Sequence, residues 1–138
     1  MKPLPLQRWH TGVEARSLAE IEELLEDEAV FFSPIVFTPQ RGRELVKLYL
    51  AGAMQVIANE NFRYVKEIVG PHSAVLEFET TIDGVYVNGV DILTWDDAGK
   101  LVEIKVMLRP LKAIQLVHER MAAMLAALQS DSAQCQAR

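Results

Sequence analysis

Few residues in this chain have the type and setting to do chemistry, and Asp91 leads them. It stands in YVNGVDILTW, between Val90 and Ile92, where alternating apolar residues predict a strand with one buried face. A carboxylate on such a face is costly unless paired or protonated, and burial raises its pKa. Two readings of Asp91 follow. In one it is a pocket hydrogen-bond donor or general acid/base; in the other its oxygens are satisfied structurally by Trp9, Tyr49 or a backbone amide. Tyr49 faces inward with Leu45 and Ala53 and is the best second polar group for a pocket. His10 follows Trp9 on the first helix and reaches toward a pocket mouth. His72, after Pro71, belongs to a solvent-facing turn, and His118 to the edge of an apolar helical stripe. No histidine–carboxylate spacing on one element has the form of a metal site. The glycines stand singly in turns rather than in a phosphate-cradling loop. The expectation is a site without metal, nucleotide or flavin.

The elements that must position these residues are readable in order. A first helix opens near Leu6, with Leu6, Trp9, His10 and Val13 at helical spacing. Ser17-Leu18-Ala19-Glu20 has the form of a capping box and starts a second helix, which Asp27 and Glu28 end. Ala29 to Phe32 reads as a short strand, and Ile35 to Phe37 as another extended piece. Gly42 to Ala58 is a helix with Leu45, Tyr49, Gly52, Ala53 and Val56 on one face. Strands follow at about Phe62 to Ile68, Ser73 to Ile82, Val85 to Trp95 and Leu101 to Leu108. Asp83-Gly84 is a strong hairpin turn, and Asp96 to Lys100 joins the last two strands. Beyond Pro110 the period becomes helical to about residue 128, and residues 129–138 form a polar tail. Strands gathered in one run with helices segregated around them make an α+β fold.

Length, composition and charge narrow the function classes. The 138 residues suit one domain, 1–138, with a core over about 6–108; half are hydrophobic and 24% charged, which is globular composition. A formal charge of -5, with the basic residues scattered singly, argues against nucleic acid and against an anionic membrane as partner. No apolar run approaches spanning length, and Met1 to Trp9 lacks a signal-peptide core. Cys135 is the single cysteine, so no disulfide is expected and a reducing, cytoplasmic setting is predicted.

Three stretches carry a resemblance: EDEAVFFSPIV, QRGRELVKLYL and, the most specific, GVDILTWDDAGKLVEIKVMLRP. Together they resemble the nuclear transport factor 2-like (NTF2-like) superfamily, which includes the SnoaL-like proteins and ketosteroid isomerases. The resemblance covers roughly Leu6 to Leu108. It implies a cone in which a strongly curved antiparallel or mixed sheet wraps the N-terminal helices around a deep, mostly apolar pocket, here with an extra C-terminal helix. It also implies a homodimer through the convex sheet face, where Glu77 and Glu79 would meet Lys105 and Arg109 of neighbouring strands or of the partner. Asp91 matches the position at which ketosteroid isomerases keep an aspartic acid protonated as a donor to an oxyanion. The isomerases' catalytic base falls at Ser33, which cannot shuttle that proton, and their oxyanion tyrosine at about Trp9. The Asp-Arg-Asp set of the superfamily's epoxide hydrolases has no counterpart. The alternation places Phe78, Leu93, Ile104, Val106 and Leu108 on the pocket side with Asp91, joined by Trp9, His10 and Tyr49. The implied function is binding of a small hydrophobic molecule near Asp91 by a cofactor-independent acid/base enzyme of isomerase, cyclase or hydrolase type. The alternative is a non-catalytic ligand-binding or dimerisation module.

Overall fold

The computed structural model describes residues 2–136, with side chains through residue 129. Helix α1, Leu4–Ala15, carries Pro5 in its first turn, where a missing N–H costs nothing. It ends at Arg16 in the left-handed region (φ 51°), and Ser17 N–H reaches back to the Gly12 carbonyl at 2.9 Å. Ser17 then caps α2, Leu18–Leu24, its hydroxyl accepting from Glu20 N–H at 3.3 Å. Gly12 lets the two helices close: a Cβ there would lie 2.6 Å from Ile21 Cδ1.

The helix expected to run to Asp27 stops at Leu24, and Leu25–Phe32 is strand β1. Leu25 pairs with Leu101 on the final strand, so a long-range ladder overrides the helical preference of the acidic stretch. The extended piece expected at Ile35–Phe37 is instead a bend. Ser33 Oγ accepts from Ile35 N–H at 3.0 Å and Val36 N–H at 3.3 Å, a local turn that competes with strand pairing. Strand β2 is Gln40–Arg41, set against Phe31 and Val30. Helix α3, Arg43–Val56, buries Val46, Leu50, Gly52 and Val56, so its core face is turned slightly from the expected one and leaves Tyr49 and Ala53 half-buried on its flank.

Strands β3 (Arg63–Val69), β4 (Ser73–Ile82), β5 (Val85–Trp95) and β6 (Leu101–Arg109) follow, then α4, Leu111–Gln136. The last helix continues past residue 128, where the polar composition places its end. Asp83 and Gly84 both have positive φ (49° and 78°), the geometry of a tight hairpin turn between Ile82 and its partner Val85. In the β5–β6 turn, Asp96 Oδ1 accepts from Ala98 N–H and Lys100 N–H at 3.0 and 2.9 Å, with Gly99 at φ 80°.

The six strands form one curved, unclosed sheet in the order β2-β1-β6-β5-β4-β3. It is mixed: β1 and β6 run parallel, and every other neighbouring pair is antiparallel. Its concave face presents Leu76, Phe78, Thr80 and Ile82 from β4 and Val87, Asp91, Leu93 and Trp95 from β5, all buried as the alternation predicts. Leu6, Trp9, Ile21, Leu24, Val46 and Leu50 of the helices fill the hollow. None of the described helices is long and apolar enough to cross a membrane.

Candidate functional site

Asp91 points into the hollow of the cone. The ladder sets it opposite Leu76 on one side and Val106 on the other, and it is 8% exposed. Its Oδ2 accepts a hydrogen bond from the Tyr64 hydroxyl at 2.9 Å. That hydroxyl in turn accepts from the Trp9 indole N–H at 3.0 Å. Trp9 on α1, Tyr64 on β3 and Asp91 on β5 thus form one chain of donors ending on the carboxyl.

Two local features aim Tyr64. The first is a break of register in β3. Tyr64 pairs with Phe78, and Lys66 with Glu77, so Val65 is an extra residue. Such a bulge reverses the strand's parity. Tyr64 and Glu67, three apart, therefore both sit opposite inward residues, Phe78 and Leu76. The second is Gly89: a Cβ there would lie 2.6 Å from Phe78 Cζ, so its absence lets that ring lie across the strand. Phe62 meets Tyr64 edge-on at 5.0 Å and Phe78 tilted at 5.1 Å, which fixes the phenol's direction.

Burial pushes the Asp91 carboxyl up to about 7, against a lowering by the Tyr64 hydrogen bond. Burial, reinforced by the adjacent Asp91 charge, pushes the Tyr64 phenol well above its ordinary value, so it stays a donor. Asp91 and Tyr64 line a cavity of about 60 Å³ whose remaining wall is almost wholly apolar, including Trp9, Phe31, Phe78, Ile104 and Val106. Phe31, Ala53, Ile57 and Val106 also face a second cavity of about 210 Å³, closed by α4 through Val117, Met121 and Leu125.

The expected site residues divide accordingly. Trp9, Phe78, Ile104 and Val106 lie around Asp91, while Tyr49 belongs to the second cavity and stacks on Phe31 at 5.6 Å. Leu93 is fully buried without lining either cavity, and Leu108, half-buried, packs over Gly89 instead. His10 turns outward. It pairs with Glu67, which also binds Lys2 at 3.1 Å, and sets its ring edge-on to Tyr64 at 5.0 Å. Burial would raise the Glu67 carboxyl, but the His10 and Lys2 contacts outweigh it and hold it below its usual value. This cluster borders a cleft of about 910 Å³ between α1 and β3. The cleft is larger than either cavity, yet Asp91 does not reach it, and its wall mixes Arg16, Arg63 and Lys66 with Glu14 and Glu60. Among the described residues neither Trp9 nor Tyr49 hydrogen-bonds to Asp91; the side-chain partner of its carboxyl is Tyr64.

Ser33 lines the second cavity rather than the chamber around Asp91, and its oxygen already serves two amides of its own turn. His118 stands at the same cavity's rim, exposed, and His72 is a surface residue paired with Asp97 at 2.9 Å.

Comparison with known proteins gives concordant results. The family model described as SnoaL-like domain matches residues 6–104. A steroid delta-isomerase from Pseudomonas aeruginosa is similar in structure with a TM-score of 0.86 at 31% identity, over 91% of this chain and 92% of that one. An uncharacterized bacterial protein with a cystatin-like fold from Silicibacter pomeroyi gives 0.81 at 26% identity, over 87% and 84%. An NTF2-like protein of unknown function from Mesorhizobium loti gives 0.67 at 18%, over 77% and 88%, a likeness of fold. No curated protein matches the chain in sequence.

Proposed function

The chain belongs to the SnoaL-like domain family of the NTF2-like fold, and from that premise we propose that it binds a small apolar molecule at Asp91 and acts on it by acid/base chemistry without a cofactor. The observation that carries this reading is the Trp9–Tyr64–Asp91 chain at the end of an apolar chamber. A carboxyl held at about 7 is neutral below that pH and donates a hydrogen bond or a proton to a ligand oxygen; above it, the same group is a base. Tyr64 supports either state, because its O–H remains a donor to the carboxyl. A carbonyl group bound there would have its oxygen polarised by Asp91, with water excluded by Phe31, Phe62 and Phe78.

The isomerase activity belongs to the Pseudomonas protein's description. Among the described residues no second carboxylate, histidine or lysine lines the Asp91 chamber, so proton transfer there falls to Asp91. A one-carboxyl site suits polarisation of a carbonyl, or a single proton transfer, better than a shuttle between two carbons.

The test is direct. Butanone is titrated into protein carrying carbon-13 in its aspartate carboxyls, at pH 6. The reading expects the Asp91 resonance to shift saturably and the shift to vanish in Asp91→Asn. No perturbation of Asp91 by butanone, or by other small neutral ketones, overturns it.

A further inference from the structure

We infer that the ligand is a narrow, elongated, neutral carbonyl compound, whose carbonyl end meets Asp91 and Tyr64 and whose apolar tail lies in the second cavity beneath α4. This rests on the reading of Asp91 and Tyr64 as the polar end of the site and adds where the rest of the molecule goes. The chamber at Asp91, about 60 Å³, has room for roughly two waters at about 30 Å³ each. Sites for small molecules ordinarily span about 300–1,000 Å³. The chamber alone holds little beyond the carbonyl group, whereas with the neighbouring cavity of about 210 Å³ it approaches the lower end of that range.

The wall between the two is one side chain thick. Phe31, Ala53, Ile57 and Val106 face both cavities, and the Phe31 ring, stacked on Tyr49, is the largest side chain of that partition. Beyond it the surface is mostly apolar, with Pro34, Ile35, Val117, Met121 and Leu125; Ser33 and Tyr49 are its polar residues, and His118 stands at the rim. The other hollow that backs onto the chamber, the cleft between α1 and β3, is edged by Lys2, Arg16, Arg63 and Lys66 with Glu14, Glu60 and Glu67. An apolar tail gains by entering the first and not the second. Helix α4 comes close because Gly52 has no side chain; a Cβ there would lie 3.1 Å from Met121 Cε. The last helix is thereby part of the ligand site and its tail wall.

The head group is neutral for an electrostatic reason. Among the described residues no lysine, arginine or histidine lines either the Asp91 chamber or the partition, so a carboxylate head group there would be buried without a counter-charge and beside Asp91. A ketone or ester oxygen needs only the donor that Asp91 supplies.

The experiment compares undecanone, undecanoate and butanone by calorimetric titration at pH 6, with the carbon-13 signal of Asp91 as a second readout. Undecanone is expected to bind at least a hundredfold more tightly than butanone, and undecanoate at least tenfold more weakly than undecanone. Leu125→Trp and Met121→Trp, which fill the second cavity from α4 at residues that do not line the Asp91 chamber, are each expected to bring undecanone down to within about tenfold of butanone while butanone still shifts Asp91. The second variant covers the case in which the first does not fold. If butanone shifts Asp91 but undecanone binds no better, or if neither folded variant affects undecanone, the tail does not lie beneath α4 and this inference fails while the function proposed above stands. Equal or tighter binding of undecanoate removes the neutral head group. If neither ketone perturbs Asp91, the proposed function and this inference both fall.

Discussion

Asp91 is a proton-binding group because the chain folds an apolar cone around it, and its stability cost should show that. Its folded value of about 7 lies above the ordinary 3.8 of an aspartate, so between those pH values the folded state holds a proton that the unfolded state has released. Stability from this group is full below the unfolded value and is lost as pH rises through about 7. Between pH 5 and pH 8 the wild type should lose about 2 to 3 kcal/mol relative to Asp91→Asn, at 1.36 kcal/mol per unit. Urea denaturation of both proteins at the two pH values measures it, and parallel curves would contradict the buried-carboxyl account. If the protein turns over a substrate at this site, Asp91→Asn should lower the rate by on the order of a hundredfold or more. Tyr64→Phe removes the one hydrogen bond that holds the carboxyl down, so the Asp91 midpoint should move further up. The variant should also cost about 1 to 3 kcal/mol, because the Trp9 indole loses its acceptor. Asp91 and Trp9 were legible in the sequence, one as a carboxylate amid alternation, the other through the family pattern. Tyr64 was not: its partner lies two strands away, and the ladder register across β4 and the edge-on contact with Phe78 bring the phenol to the carboxyl.

The elements show where local pattern suffices and where it fails. Strands β4 and β5 run from Ser73 to Ile82 and from Val85 to Trp95, the bounds their alternation and the Asp83-Gly84 turn predict. Strand β1 is longer than predicted because Leu25 finds Leu101, a contact that no local window contains. The bulge at Val65 is equally hidden, since nothing in RYVKEIV announces that one residue goes unpaired. Its effect is nonetheless large: without it Glu67 would face away from α1, and the His10 and Lys2 contacts would be lost. Gly89 gives the sharper test at this scale. A methyl group there would meet the Met107 carbonyl oxygen at 2.6 Å and Leu108 Cδ2 at 2.7 Å, as well as Phe78. The carbonyl belongs to a paired strand and cannot swing aside. Gly89→Ala should therefore destabilise by about 3 kcal/mol or more, at or beyond the usual upper end for overpacking. Thermal denaturation reads this, and a melting temperature within a degree or two of wild type would mean that β5 and β6 have more freedom than their ladder implies.

At the scale of the molecule, the sheet's outer face is where a second copy should bind. Cross-strand pairing lays the outward residues in rows: Ile68, Val75, Ile92 and Lys105 in one, and Lys66, Glu77, Val90 and Met107 in the next. Ile68 and Met107 are more than half exposed and, with Val75, Val90 and Ile92, make an apolar band across β3 to β6. The charges around the band bond within the protomer. Glu79 takes Arg63 and the Tyr86 hydroxyl, Glu77 takes the Asn88 amide at 3.1 Å, and Lys105 lies 3.7 Å from Glu103. Within the protomer Glu77 and Glu79 therefore bond to groups other than Lys105 and Arg109, and the apolar band is what a partner would cover. A two-fold contact sets the same band against itself, which a band near the middle of the sheet permits. Val90→Arg tests this without disturbing the site. Its side chain points outward while Asp91 points in, and the new guanidinium faces Glu77 directly across the ladder, a favourable pair that protects folding. Wild-type protein at about 10 µM should sediment as a dimer and Val90→Arg as a monomer, since two long guanidinium side chains, each solvated beside its own Glu77, would have to be desolvated against each other near the two-fold axis. A monomeric wild type would remove the dimer, and a dimer that survives Val90→Arg would move the interface off this face, because a guanidinium at the middle of the band would have to be buried in a contact centred there.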